Sequence, residues 1–288
     1  MAEIDMQGKV CLVTGSNSGI GKVTARELAR MGATVVMVCR DSTRGEAARK
    51  EIQEATGNQQ VDLLIADLSS LADVRRVAAE FKQRYKYLHV LIHNAGGANH
   101  RRKVTPDGYE ATLATNYLAP ALLTELLLDV LRASAPARIV NVSSMAHTRG
   151  KIDFADLQGE QRYTTWKAYG QAKLALILYT YELAQRLEGS GVTVNALHPG
   201  VIASNFDQGL SPFMRWGWKL ITPVLSTVEQ GARTTLYLAT SPEVEGVSGK
   251  YFSNRKAVKS SPRSYDVAVR QRLWQITEEL TRVHATVS

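Results

Sequence analysis

Tyr169 and Lys173 stand four residues apart in the helix-like stretch TWKAYGQAKLALIL, a spacing that puts both side chains on one helix face. A phenol titrates near pH ~10, too high to exchange protons readily at neutrality, but an ammonium held within a few ångströms favours the phenolate. Such a pair can give a proton to a carbonyl oxygen or take one from an alcohol. The same spacing also occurs on ordinary amphipathic helices, so the surroundings must decide. Ser143 and Ser144 end the apolar run ARIVNVSS, at the kind of strand end beyond which open parallel sheets bind ligands. A hydroxyl there can orient a substrate oxygen, or both serines can simply close the strand. Another run ends HNAGG (93–97), whose small residues let a flat ring lie against the backbone, and Asn116 falls mid-helix, where an amide is a poor helix former.

The first strand candidate runs into TGSNSGIG, with Gly15, Ser18, Gly19, Ile20 and Gly21 at a strand-to-helix corner. Glycines there let the chain turn tightly and approach a pyrophosphate, while the following helix offers unpaired N–H groups and a partial positive charge. Its G-x-x-x-G-x-G spacing differs from the more common G-x-G-x-x-G. At the end of the second strand candidate, VVMVCR, the position that often carries an acid for a ribose 2′-hydroxyl is Cys39, followed at once by Arg40. A guanidinium can pair with a 2′-phosphate that a carboxylate would repel, so NADP(H) is expected over NAD(H). Arg44 can assist from the next helical turn. The plainer reading of Arg40 is a solvated loop charge.

Taken in order, TGSNSGIG, Asp67, Asn94-Ala95-Gly96, Asn116, Ser144, Tyr169, Lys173 and His198-Pro199-Gly200 resemble the short-chain dehydrogenase/reductase family over nearly the whole chain. That resemblance implies a tetrad in which Tyr169 is the acid/base and Ser144 holds the carbonyl oxygen. Lys173 would bind the nicotinamide ribose and lower the Tyr169 pKa, and Asn116 would support a water-mediated proton path. It also implies Asp67 and Leu68 beside the adenine, Asn94, Ala95 and Gly96 at the adenosine ribose, and Pro199, Gly200, Ile202 and Ser204 near the nicotinamide. The family's usual Thr after the PG pair is Ser204 here, which keeps the hydroxyl. The gap of 25 residues from Ser144 to Tyr169, the HTRGKIDFADLQGE within it, YFSNRK and RLWQITEEL resemble the retinol dehydrogenase-like branch. This branch is similar in turn to WW-domain oxidoreductases and light-dependent protochlorophyllide reductases.

The implied activity is NADP(H)-dependent interconversion of an aldehyde or ketone and its alcohol, as in a carbonyl reductase or alcohol dehydrogenase. Two alternatives are a non-catalytic NADP(H)-sensing protein on the same fold and a protochlorophyllide reductase-like enzyme. Substrate choice is expected to rest on two insertions, 145–165 and 201–226. The second gathers Phe206, Phe213, Met214, Trp216 and Trp218 and reads as a lid for an apolar or aromatic small molecule, or as a segment in weak contact with a membrane surface. His147, Tyr163 and Trp166 are expected on the opposite wall.

These groups need elements to hold them. Short apolar β-branched runs at 9–14, 33–38, 61–65, 88–93, 137–142, 192–197 and 250–253 alternate with helical patterns beginning near Ile20, Thr43, Ser70, Pro106, Trp166, Thr227 and Ser264. That rhythm predicts one α/β domain over 1–288, a doubly wound Rossmann fold with a seven-stranded parallel sheet and helices on both faces. The composition, 44% hydrophobic and 22% charged with 7% aromatic, excludes a disordered or fibrous chain. The net charge of +8 is dispersed apart from NHRRK at 99–103, so a nucleotide phosphate is a better partner for it than nucleic acid. The most apolar stretch, 113–131, is broken by Asn116, Glu125 and Asp129, and no transmembrane segment or signal peptide is expected. Two cysteines, Cys11 and Cys39, and six scattered histidines give neither a disulfide framework nor a metal site. A cytoplasmic protein, with a homo-oligomer open to its long helices, is the expectation.

Overall fold

A computed structural model describes residues 5–200 and 227–282. The described residues form one eight-stranded sheet: β1 (Val10–Thr14), β2 (Thr34–Cys39), β3 (Val61–Ile65), β4 (Val90–His93), β5 (Ala137–Val142), β6 (Val192–Leu197), β7 (Tyr251–Ser253) and β8 (Lys256–Val258), in the order β3-β2-β1-β4-β5-β6-β7-β8. The first seven are parallel. The eighth, which the sequence reading lacks, pairs antiparallel with β7 through Asn254 and Arg255, both at positive φ, 48° and 63°. That is the backbone of a two-residue hairpin with right-handed strand twist, built here without the glycine that usually announces it.

The helices are α1 (Gly19–Arg30), α2 (Ser42–Thr56), α3 (Leu71–Arg84), α4 (Ala111–Ala133), α5 (Thr165–Arg186), α6 (Val228–Thr240) and α7 (Val267–Arg282). Alternate residues of each strand face opposite ways, as a strand's period of two requires. Thus Cys11, Val13, Val35, Met37 and Cys39 pack with Ala25, Leu28, Ile52 and Leu238 of α1, α2 and α6. Leu12, Val36, Val38 and Leu64 face the other way, onto Val74, Phe81, Leu122 and Leu174 of α3, α4 and α5. Burial on both faces explains why the strands read as continuous apolar runs. By length and composition α4 could cross a membrane, and 72% of its apolar window is buried inside this fold, where it serves as a core helix.

Three departures from the sequence reading have local causes. The helix expected near Pro106 starts at Ala111, because Thr105 to Gly108 forms a turn with Gly108 at φ 85° and Val104 bridges Glu110. Glu110 then caps α4, its carboxylate accepting from the N–H groups of Thr112 (2.8 Å) and Leu113 (2.7 Å). Within α4, Ala114–Leu118 widens into a π-helical turn. Finally, the helix expected near Ser264 begins at Val267, after a 3₁₀ turn at Pro262–Tyr265.

Helix α7 lies across α5 and the π turn. Trp274 stacks on Tyr179 at 5.4 Å between centroids, with the Arg186 guanidinium 4.2 Å from the Trp274 ring. The Tyr117 hydroxyl bonds Thr277, the Tyr109 hydroxyl donates to the Leu280 carbonyl (2.7 Å), and Arg75 donates to the Thr281 carbonyl.

Candidate functional site

Strand order reverses beside β1, which pairs with β2 on one side and β4 on the other. In open parallel sheets the crevice at the carboxyl ends of such a pair receives ligands. Both glycine-bearing segments of the sequence open there. Gly15 follows β1 at φ +65°, and a Cβ on it would sit 2.8 Å from Ala95 Cα in the segment after β4. A Cβ on Gly21 would collide with the Gly15 carbonyl and the Asn94 amide. The two segments are stitched by Asn94 Nδ2, which donates to the carbonyls of Thr14 (2.9 Å) and Gly15 (3.2 Å), and by Thr14 Oγ1, which accepts from the N–H groups of Asn94 and Ala95 (3.0 Å each). Thr14 is a site-building residue that the sequence reading quoted without assigning it work. Helix α1 enters this corner from Ser18 with no side-chain cap and no acidic residue in its first turn, so Gly19, Ile20 and their neighbours offer backbone N–H groups to an anion.

Arg40 is exposed just past the buried Cys39 at the end of β2. Asp67 and the buried Leu68 follow β3, with Asp67 Oδ1 accepting from the Ser69 N–H (2.9 Å) and hydroxyl (2.8 Å). At the other end of the crevice Pro199 and Gly200 follow β6, and the Gly200 N–H donates to His198 Nδ1 (3.1 Å). Ile202, Ser204, Phe206, Phe213 and Trp216, with the whole expected lid at 201–226, lie outside the described residues.

Helix α5 brings Tyr169 and Lys173 to the same edge. Lys173 is 3% exposed, its ammonium donating to the Val142 carbonyl (2.9 Å) and lying 5.7 Å from the Tyr169 ring centroid. Tyr169 is 8% exposed, and the Ser144 side chain is near enough to its hydroxyl to draw the phenol pKa down. Burial brings the Lys173 amine down to about 7, and burial lifts the Tyr169 phenol to about 12 against the opposing pull of Ser144. The two adjacent serines separate cleanly. Ser143 is buried and its hydroxyl is spent on the Lys173 carbonyl (2.9 Å), whereas Ser144 turns its hydroxyl toward Tyr169 and also accepts from the Ala146 N–H (3.2 Å).

Asn116 occupies the π turn of α4. Its Nδ2 donates to the carbonyls of Gly97 (2.8 Å) and Thr112 (2.7 Å), and its Oδ1 accepts from the Gly97 N–H (3.1 Å). π turns recur where a helix must present a group out of register, and this one keeps a buried amide satisfied against the segment after β4. That segment must be small. A Cβ on Gly96 would lie 2.6 Å from Asn116 Oδ1 and 3.1 Å from Lys173 Nζ.

Two residues expected on a substrate wall are engaged elsewhere. His147 is 2% exposed and sits behind Ser144, with Nδ1 2.7 Å from the Ser144 carbonyl and Nε2 accepting from the Ser261 N–H (3.1 Å). The Tyr163 hydroxyl donates to the Asn99 carbonyl (2.8 Å), tying the 145–165 segment to the chain before α4. Met145 and Trp166, 52% and 49% exposed, instead flank the Ser144 and Tyr169 positions in sequence. A cavity of about 830 Å³ opens at the opposite end of the sheet among Lys9, His89, Arg138 and Thr193 and touches none of these groups. Among the described residues no three His, Cys, Asp or Glu side chains gather as a metal site would need.

The glycine corner, the uncapped α1 and the exposed Arg40 fit a phosphate-bearing dinucleotide. A family model for short chain dehydrogenases matches residues 9–214. Retinol dehydrogenase 12 of Mus musculus is 46% identical over 277 residues, covering 96% of this chain and 87% of that protein, and retinol dehydrogenase 13 of Homo sapiens is 43% identical over 291 residues, 96% and 86% of the two chains. Among solved structures, an uncharacterised protein from Mycobacterium paratuberculosis superposes with a TM-score of 0.79 at 36% identity over 98% of this chain and 96% of its own. The RhlG–NADP active-site complex of Pseudomonas aeruginosa gives 0.69 at 26% identity, over 88% and 96%. With its strand-end motifs gathered in one crevice and its likeness to these proteins running almost end to end, the chain belongs to the short-chain dehydrogenase/reductase family, in the retinol dehydrogenase-like branch.

Proposed function

We propose that this protein is an NADP(H)-dependent oxidoreductase that interconverts an apolar or aromatic aldehyde or ketone and its alcohol. The observation that carries the reading is Tyr169 beside Ser144 and over the buried Lys173, at the same edge of the sheet as the glycine corner. Gly15, Ser18, Gly19, Ile20, Gly21 and Arg40 would hold the phosphates, Asp67, Leu68, Asn94, Ala95 and Gly96 the adenosine half, and Lys173, Pro199 and Gly200 the nicotinamide half. A nicotinamide, when bound, supplies or accepts the hydride.

The protein's own part is to manage charge on oxygen. At neutral pH Tyr169 is protonated, as an acid for carbonyl reduction must be, since burial holds its phenol at about 12. Ser144 and Tyr169 present two donors to one oxygen, and donors fixed before reaction stabilise the alkoxide as it forms. Tyr169 gives up its proton there, and the phenolate left behind faces the Lys173 amine, which at about 7 can take the charged form and hold it. Asn116, anchored to Gly97 and Thr112, fixes the floor beneath Lys173. In the alcohol-oxidising direction the same groups run in reverse. The relatives named as retinol dehydrogenases support an apolar alcohol as the substrate class, and the exposed Met145 and Trp166, close in sequence to Ser144 and Tyr169, suit one.

The test is NADPH oxidation against a panel of apolar aldehydes and ketones with wild type and Tyr169→Phe side by side. The expected result is turnover by wild type and a loss of about 10²–10⁴-fold in kcat for Tyr169→Phe with NADPH binding retained. Tight NADPH binding with no turnover across the panel by wild type would sink the reading in favour of a cofactor sensor.

A further inference from the structure

His147 has a hydrogen-bond pattern that fixes its protonation. The Ser261 backbone N–H can only donate, so Nε2, 3.1 Å away, must be the bare nitrogen. The proton therefore sits on Nδ1, where it meets the Ser144 carbonyl at 2.7 Å, a group that can only accept. The same carbonyl also accepts the His147 backbone N–H at 3.1 Å, so two donors from one residue clamp it. The Tyr251 hydroxyl, 3.5 Å from Nδ1, and the Tyr251 ring, 4.9 Å between centroids, close the remaining side. An imidazole so enclosed has no room to serve a substrate, and both of its nitrogens are already used.

The anchor on the far side is itself held. Ser260 bonds Tyr181 of α5 (2.6 Å) and Ser264 (2.6 Å), and Arg263 donates to the Gly150 carbonyl (2.8 Å) at the end of the same turn that Ser144 begins. The segment 259–265 thus grips the 3₁₀ turn Met145–Arg149 at its centre, through His147, and just past its end, through Gly150. We infer that His147 is a positioning residue for the reaction: its Nδ1–H, donated to the Ser144 carbonyl, holds the Ser144 hydroxyl at Tyr169, and the Ser261 amide serves to fix the tautomer that makes this donation. The inference rests on the oxidoreductase reading above, in which Ser144 must hold a substrate oxygen within a fraction of an ångström. Displacements of about 1 Å at such a centre cost on the order of 10²-fold.

Two substitutions dissect the link. His147→Asn can place an amide N–H where Nδ1 donates to Ser144 and gives up the acceptor for Ser261; His147→Gln can keep an acceptor toward Ser261 and gives up the donor to Ser144. The expected result is a kcat lowered about 10–100-fold in His147→Gln, with KM and the NADPH Kd within about threefold of wild type, and a kcat much nearer wild type in His147→Asn. Equal kcat losses in the two variants, or losses that track only their thermal stability, would overturn the inference. Imidazole ¹⁵N shifts of the wild-type protein without substrate provide an independent arm: His147 must show the Nδ1–H tautomer, and an Nε2–H signal would overturn the assignment outright. A crystal structure of His147→Gln must show Ser144 turned away from Tyr169, and an unmoved Ser144 would count against it. Because these two readouts need no turnover, an inactive wild type would defeat the proposed activity and leave the geometry of His147 to be judged separately.

Discussion

Arg40 is exposed at the carboxyl end of β2, one residue beyond the buried Cys39, and carries the argument for a 2′-phosphate alone among the described residues of that strand end. Replacing it by Asp removes a bidentate donor and installs a repulsive charge at the same place. Arg40→Asp is therefore expected to raise the KM for NADPH by at least tenfold while leaving or lowering that for NADH, and steady-state kinetics with both cofactors will read it. An unchanged ratio would remove the phosphate argument. At this scale much of the site was legible: side chains at strand ends and the four-residue spacing of Tyr169 and Lys173 are properties of the linear chain. What could not be read was which way each side chain turns. Ser143 and Ser144 are chemically identical, and only the alternation of β5 sends one into the backbone of α5 and the other to Tyr169. The surroundings of His147 could not be read for the same reason, since its partner Ser261 lies 114 residues away in the chain.

The β1–α1 corner depends on two backbones meeting without side chains between them. A methyl at position 21 has no exit, because it faces the Gly15 carbonyl and the Asn94 amide that stitches β1 to β4. Gly21→Ala is expected to cost about 1–3 kcal/mol in urea unfolding and to weaken NADPH binding at least tenfold. Gly57→Ala, at a helix end with φ 73° and open space around it, is the control; it should cost about 1 kcal/mol and leave NADPH binding alone. Titration calorimetry on both variants separates the two effects. The elements themselves were largely written in period: all seven expected strands lie within two residues of their observed limits because buried parallel strands are plain apolar runs. The eighth strand was hidden by a hairpin turn of Asn254 and Arg255, and the π turn at Ala114–Leu118 by having no residue preference that distinguishes it from the α-helix around it.

Global stability should carry the imprint of the buried amine. Lys173 titrates near its ordinary value in the unfolded chain and at about 7 in the folded one, so above pH 7 the unfolded state binds more protons and stability rises with pH. The buried thiols Cys11 and Cys39, both raised by burial, act oppositely once unfolded cysteine begins to ionise near pH ~8.5. The informative quantity is thus the difference between wild type and Lys173→Met without dinucleotide. Between pH 7 and 8.5 wild-type stability should climb relative to the variant with a slope approaching about 1.4 kcal/mol per pH unit. Parallel curves in urea titrations at several pH values would mean that Lys173 is not held neutral by its surroundings. The two-faced sheet and its crossover follow from the alternation of strands and helices along the chain, whereas the course of α7 does not, because its partners are far away in sequence.

That distance has a kinetic meaning. Thr277, Leu280 and Thr281 contact partners 160, 171 and 206 residues earlier in the chain. The first of them, Tyr117, adjoins Asn116 in the π turn. Long loops close late, after local helices and neighbouring strands have formed. Docking of α7 onto the π turn is therefore expected among the last steps of refolding, so that recovery of activity should lag recovery of far-UV circular dichroism in a stopped-flow experiment.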